Sequence, residues 1–133
     1  MKISYLIDTD WIIDHFNKVE RVTEKLRELG SEGMGLSVIS LAELYEGVYY
    51  SRDPLKSQGV LDDFVEGFPV LGIDEEICKI FGRERGRLRQ QRRIISDFDL
   101  LIASTCLYYD LALLTNNRRH YEVVEGLNIL SIS

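Results

Sequence analysis

Carboxylates at the ends of apolar runs are the part of this sequence able to do chemistry. "LIDTDWIID" (residues 6–14) sets Asp8 and Asp10 one residue apart where the run Ile3–Ile7 stops. "SVISLAELYEG" carries Glu43, and "IISDFDLLIAS" carries Asp97 and Asp99. A fourth run, "LALLTNN", ends in Thr115, Asn116 and Asn117 instead of an acid. Each acid also has a plainer role. Ser40–Glu43 and Ser96–Asp99 both match the capping box that starts helices. An N-cap contributes about 1 kcal/mol, and acids in a first turn suit the helix dipole. Taken singly, each acid reads more simply as a cap than as a catalyst.

Taken together, they read differently. Asp8 ends a strand, and Glu43 and Asp99 fall about one turn into helices expected to begin at the same edge of the sheet. In a parallel sheet the carboxyl ends of the strands lie along one edge, where ligands bind. Acids gathered there repel and raise one another's pKa, which a cation relieves. The chain has two His and no Cys-x-x-Cys spacing, so the donors are oxygens and the cation is a hard one, Mg2+ or Mn2+. Such an ion serves phosphodiester hydrolysis. The candidate ligands are therefore Asp8, Glu43 and Asp99. Asp97 ranks behind Asp99, because i and i+2 do not share a helix face. Ser40 and Thr115 place hydroxyls at strand ends, to cap or to orient the acids. Asp10 points away from Asp8 if the strand continues that far, and its simpler reading is the N-cap of a helix over 11–17.

The elements that must hold these residues alternate. Apolar runs predict strands at 3–7, 35–39, 69–73, 111–114 and 128–132. Between them, spacings of three and four predict helices at 11–17, 19–29, 41–50, 55–67, 74–92 and 97–109, with an interruption expected at Gly82 or Gly86, and a short helix is expected between the last two strands. This order predicts an α/β fold: a central, mostly parallel sheet of about five strands flanked by helices. No linker divides the 133 residues, so residues 1–133 read as one domain.

Composition narrows the function classes. The net charge of -6 excludes a simple nucleic-acid coat, so nucleic-acid contact must be local. Residues 83–93 hold six Arg against one Glu. On a helix Arg85 and Arg89 share a face, as do Arg89 and Arg93, and that ladder suits an RNA backbone. Arg118 and Arg119 follow the last motif and are candidate phosphate contacts as well. No apolar stretch reaches the roughly 18 residues of a membrane helix, and acids interrupt the N-terminal run before a signal peptide can form. The expected location is the cytoplasm. Cys78 and Cys106 read as reduced core residues. His15 and His120 read as structural or surface residues, and Trp11, Tyr45, Tyr49 and Tyr50 as core or as an interface groove.

"LIDTDWIIDHF", "SVISLAELYEGV", "SDFDLLIAST" and "LLTNNRRHYEVVEGLNI" together resemble the successive motifs of the PIN domain and, within it, the VapC toxins of toxin–antitoxin pairs. The resemblance covers residues 4 to 132. It implies a metal-dependent endoribonuclease acting on tRNA or rRNA, a homodimer, and a VapB-like antitoxin that lays an apolar segment beside the early helices. It places the metal ligands at Asp8, Glu43 and Asp99. Many members of the family have an Asp two residues after the Thr of the last motif, where this chain has Asn117. An Asn keeps an oxygen but loses the charge, which bears on a second metal ion. The alternative function is a PIN-fold regulatory or RNA-binding module with weak or no nuclease activity.

Overall fold

The computed structural model describes residues 2–132. Five strands form one all-parallel sheet in the order β3-β2-β1-β4-β5. They are β1 (Tyr5–Ile7), β2 (Met34–Ser37), β3 (Val70–Leu71), β4 (Ala112–Leu114) and β5 (Ile129–Leu130). The helices are α1 (Thr9–Phe16), α2 (Glu20–Leu29), α3 (Val38–Tyr49), α4 (Pro54–Glu66), α5 (Glu75–Gln90), α6 (Asp97–Tyr109) and the single turn α7 (Arg118–Tyr121), with a 3-10 turn at Gly30–Glu32. None of these helices is long and apolar enough to cross a membrane.

Helices cover both faces, so the central strand is apolar on both. Leu6 and Ile7 point to opposite faces, and both are fully buried. Ile7 joins a core with Trp11, Ile12, Leu36 and Leu44. Leu6 joins a second core with Leu88, Leu100, Ile102 and Leu113. The helix α6 is apolar around most of its circumference, as a sandwiched helix must be. Its Ser104 and Thr105 hydroxyls donate to the carbonyls of Leu100 and Leu101, at 2.7 and 2.9 Å, so burying them leaves no donor unpaired.

Strand order fixes the site. The chain runs outward through β2 and β3 on one side of β1, then returns to place β4 and β5 on the other. The order reverses between β1 and β4, and such a switch point opens a crevice at the carboxyl ends of the strands. The register pairs Ile7 with Leu114, so the next residues, Asp8 and Thr115, emerge side by side.

Several expectations needed correction. β2 ends at Ser37, two residues early, because the Ser37 hydroxyl accepts the Ile39 N–H at 3.0 Å and caps α3 there. Ser40 and Glu43 therefore lie within α3 and are not its capping box. Neither Gly82 nor Gly86 interrupts α5. Arg93 lies beyond the end of α5, past a left-handed turn at Arg92, so the Arg ladder stops at Arg89. Cys106 is buried as expected, whereas Cys78 is exposed on α5. Of the aromatic residues read as core or interface, Trp11 is core, and Tyr49 and Tyr50 are on the surface.

Candidate active site

The site is a chain of hydroxyls and acids running across the switch point. Asp8, at the tip of β1, is buried. Its Oδ1 caps α1 by accepting the Thr9 N–H at 2.9 Å, and its Oδ2 accepts the Thr115 hydroxyl at 2.8 Å. The Tyr121 hydroxyl lies 3.1 Å from Asp8 Oδ1 and 3.1 Å from Asp99 Oδ1, so these two oxygens are less than twice that distance apart. On the other flank, Thr9 Oγ1 lies 2.8 Å from Glu43 Oε1 and 3.0 Å from Ser40 Oγ. Residues from β1, α1, α3, α6, α7 and the end of β4 thus meet at one edge of the sheet.

The cap of α6 and the carboxylate that faces the other acids belong to different residues. The Ser96 hydroxyl caps α6 by accepting the Asp99 N–H at 3.2 Å. The Asp99 carboxylate is left to face Tyr121 and, at 3.7 Å, His120 Nδ1. Asp97 turns outward and pairs with Arg85 at 2.8 Å, so neither residue joins the acids. Arg118 donates to the Ile129 carbonyl at 3.0 Å and ties the last loop to β5. Arg89 and Arg119 are exposed. Asn117 is exposed, and its N–H donates to Thr115 Oγ1 at 3.0 Å. His15 is structural, with Nδ1 2.8 Å from the Thr23 hydroxyl.

Asp10 does not point away from Asp8. It lies inside the first turn of α1, and its carboxylate accepts the Trp11 N–H, the Asn116 N–H at 2.9 Å and, at 3.3 Å, the Thr115 hydroxyl. The break from β-strand to helix at Asp8 swings it back toward β4, which a continued strand would not do. Thr9 and Tyr121 were also not predicted. Thr9 had a signal, a hydroxyl between two acids. Tyr121 had none beyond being an aromatic residue after a polar run.

Burial and like charge leave a mark on these groups. Asp8 is pushed up to about 7, first by burial and then by the charge of Asp10, against the hydrogen bonds from Thr115 and Thr9. Asp10 and Glu43 are raised too, each mainly by burial. The Asp99 charge adds to the rise at Glu43. Buried acids that raise one another are what a cation would stabilise, and a set of carboxylate and hydroxyl oxygens suits a hard ion. Among the described residues, no three His, Cys, Asp or Glu side chains converge closely enough to hold an ion as they stand. The Thr9 and Tyr121 hydroxyls are interposed between the acids.

An apolar groove of about 280 Å³ adjoins this site, between α1, α3 and α4. Ile13, Phe16, Leu44, Val48 and Val60 line it, and so does Glu43.

Residues 5–126 match the PIN domain, and the chain belongs to that family. Ribonuclease VapC1 of Methanocaldococcus jannaschii is 35% identical over 126 residues, covering 93% of this chain and 85% of that protein. The tRNA(fMet)-specific endonuclease VapC of Shigella flexneri is 32% identical over 126 residues, covering 94% and 95%. The fold superposes on the crystal structure of VapBC2 from Rickettsia felis bound to a promoter DNA fragment, with a TM-score of 0.92, 27% identity, and 98% and 100% of the two chains covered. It matches DNA-bound VapBC of Salmonella typhimurium with a TM-score of 0.90 at 27% identity, covering 98% of each chain.

Proposed function

We propose that this protein is an endoribonuclease toxin that hydrolyses phosphodiester bonds in RNA, with tRNA as the favoured substrate class. The observation that carries this reading is the buried Asp8 at the switch point, joined to Asp99 through Tyr121 and to Glu43 through Thr9. The relatives named as ribonucleases and a tRNA endonuclease support the reaction class.

Asp8, Asp99 and Glu43 would hold Mg2+ once drawn closer together than they stand, and Mn2+ is a chemical substitute. When bound, the ion supplies charge stabilisation at the cleaved phosphodiester and a more acidic water. The protein's own residues do the rest. Thr115 fixes the Asp8 carboxylate, Thr9 fixes Glu43, and Ser40 supports Thr9. The exposed Arg89 and Arg119 are free to meet the RNA backbone, a contact that salt would weaken.

The groove beside Glu43 suits an antitoxin. An apolar segment would fill it and a basic side chain would reach Glu43, quenching the acid site. The VapBC structures that this fold resembles are themselves toxin–antitoxin pairs, which favours a VapB-like partner. A homodimer is part of the same proposal.

The test is RNA cleavage across a Mg2+ titration, with Asp8→Asn and Asp99→Asn proteins as controls. Cleavage by the wild type that needs metal and is lost in both variants is expected. Equal, metal-independent RNA degradation by all three proteins would mark a contaminant and favour the regulatory module instead.

A further inference from the structure

We infer that Tyr121 is a positioning residue of the acid site: its buried hydroxyl sets the spacing of Asp8 and Asp99 and determines which of their oxygens stay open to a cation. The inference rests on the metal-dependent reading given above. Tyr121 is fully buried on α7, and its ring belongs to the apolar cluster of Leu100 and Leu113. That packing needs a ring but no hydroxyl. The hydroxyl faces only acids, at 3.1 Å from Asp8 Oδ1 and 3.1 Å from Asp99 Oδ1.

A phenol has one proton to donate. Both distances are long for an O–H···O bond, whose usual length is about 2.7–2.8 Å. Two equal, long contacts fit one proton divided between two acceptors. The hydroxyl is thus a spacer that holds the acids near each other without letting them touch.

The lone pairs show what is left open. Asp8 Oδ1 accepts from both Thr9 N–H and Tyr121, which uses its two lone pairs. Asp8 Oδ2 accepts from Thr115 and keeps one lone pair. Asp99 Oδ2 is 3.7 Å from His120 Nδ1, too far for a hydrogen bond, and keeps both. The Oδ2 atoms of Asp8 and Asp99 are therefore the ones presented to an incoming ion. Without the hydroxyl, the Asp99 carboxylate would lose the bond that holds it toward Asp8, whose own carboxylate stays fixed by Thr9 and Thr115.

Tyr121→Phe keeps the ring and removes the spacer. Titrated with Mn2+ by calorimetry, the variant should bind about 10–100-fold more weakly than the wild type, the usual effect of losing a group that orients a metal ligand. Binding as tight as wild type would overturn the inference. A second measurement needs no metal. In the metal-free protein Tyr121→Phe should lower the melting midpoint, and in an Asp8→Asn, Asp99→Asn background that loss should about halve, since hydrogen bonds to ions are roughly twice as strong as neutral ones. An equal loss in both backgrounds would make Tyr121 a core residue and nothing more. Should Tyr121→Phe fail to fold alone, recovery of the fold in the Asn background supports the role, and failure in both overturns it. Should the wild type bind no Mn2+, the metal reading falls, while the metal-free comparison still decides the role of Tyr121.

Discussion

Thr115 donates its hydroxyl to Asp8 across 107 residues of chain, at 2.8 Å. The bond extends the β1–β4 register by one residue beyond Ile7 and Leu114. The same oxygen also accepts the Asn117 N–H and lies 3.3 Å from Asp10. Thr115→Val keeps the shape and removes all of this. It should cost about 1–3 kcal/mol, the penalty for leaving buried polar groups unpaired, and Thr115→Ser should recover most of it. Urea unfolding of the three proteins measures both effects. A valine variant as stable as the wild type would mean that Asp8 does not depend on this bond.

The acid site should make the metal-free protein less stable as the pH rises toward neutrality. Asp8 titrates at about 7 in the folded chain against 3.8 ordinarily. Between those values the folded state binds a proton that the unfolded chain has released. The stabilising contribution is complete below the unfolded value and is lost as the pH climbs through the folded one. This one group sets a slope of at most about 1.4 kcal/mol per pH unit. Asp10 and Glu43, also raised, act in the same direction. Asp8→Asn should flatten the profile. Unfolding free energies of both proteins between about pH 4 and 7 provide the check, and parallel profiles would contradict it.

The groove offers a way to separate antitoxin binding from catalysis. Gly47 lines it on α3, and a Cβ at that position would meet no atom within 4 Å. Gly47→Glu should therefore fold normally. It should raise stability by up to about 1 kcal/mol, since Gly is a poor helix residue. The added charge would sit in the groove proposed to take the apolar segment. Binding of the antitoxin should fall roughly 30-fold or more, the scale of a hot-spot loss of about 2 kcal/mol. RNA cleavage by the chain without its antitoxin should continue. Calorimetric titration with the purified antitoxin tests this, and unchanged affinity would move the docking surface elsewhere.

The strands and long helices were legible because apolar spacing alone encodes them. The run Ile3–Ile7 read as a strand, and the strongly apolar "DLLIASTCLYY" as a helix. Asp8 and Glu43 could be grouped because one ends a strand and the other lies in the helix after one, and Asp99 because it stands at the opening of a helix, although that helix follows α5 and not a strand. What the sequence did not disclose depended on register and on short elements. Asp10 looked like a cap until the turn at Asp8 brought it against Asn116. Tyr121 lies on the short helix expected between the last two strands, but its partners are 113 and 22 residues away. Arg85 looked free for RNA because its partner Asp97 lies in the next helix. Ser37 and Ser40 both lay within reach of the start of α3, and only the backbone shows that Ser37 is the cap.

Cap and catalyst, confounded in "SDFD", are separable because the cap belongs to Ser96 and the proposed catalytic role to Asp99. Ser96 receives the Asp99 N–H, and the Asp99 carboxylate faces Tyr121. Ser96→Ala should therefore cost about 1 kcal/mol of stability, as a lost N-cap does, and leave RNA cleavage near the wild-type rate. Asp99→Asn should do the reverse. It keeps the Ser96 cap and relieves crowding among Asp8, Glu43 and Asp99, so the metal-free protein should melt no earlier than the wild type. Its Mg2+-dependent cleavage should be abolished, since a ligand carboxylate has become a neutral amide. The two properties must be measured on one preparation of each variant: the melting midpoint without metal, and cleavage with Mg2+. An Asp99→Asn protein that melts early yet still cuts RNA at the wild-type rate would return this carboxylate to a structural role and leave Asp8 and Glu43 without their third partner.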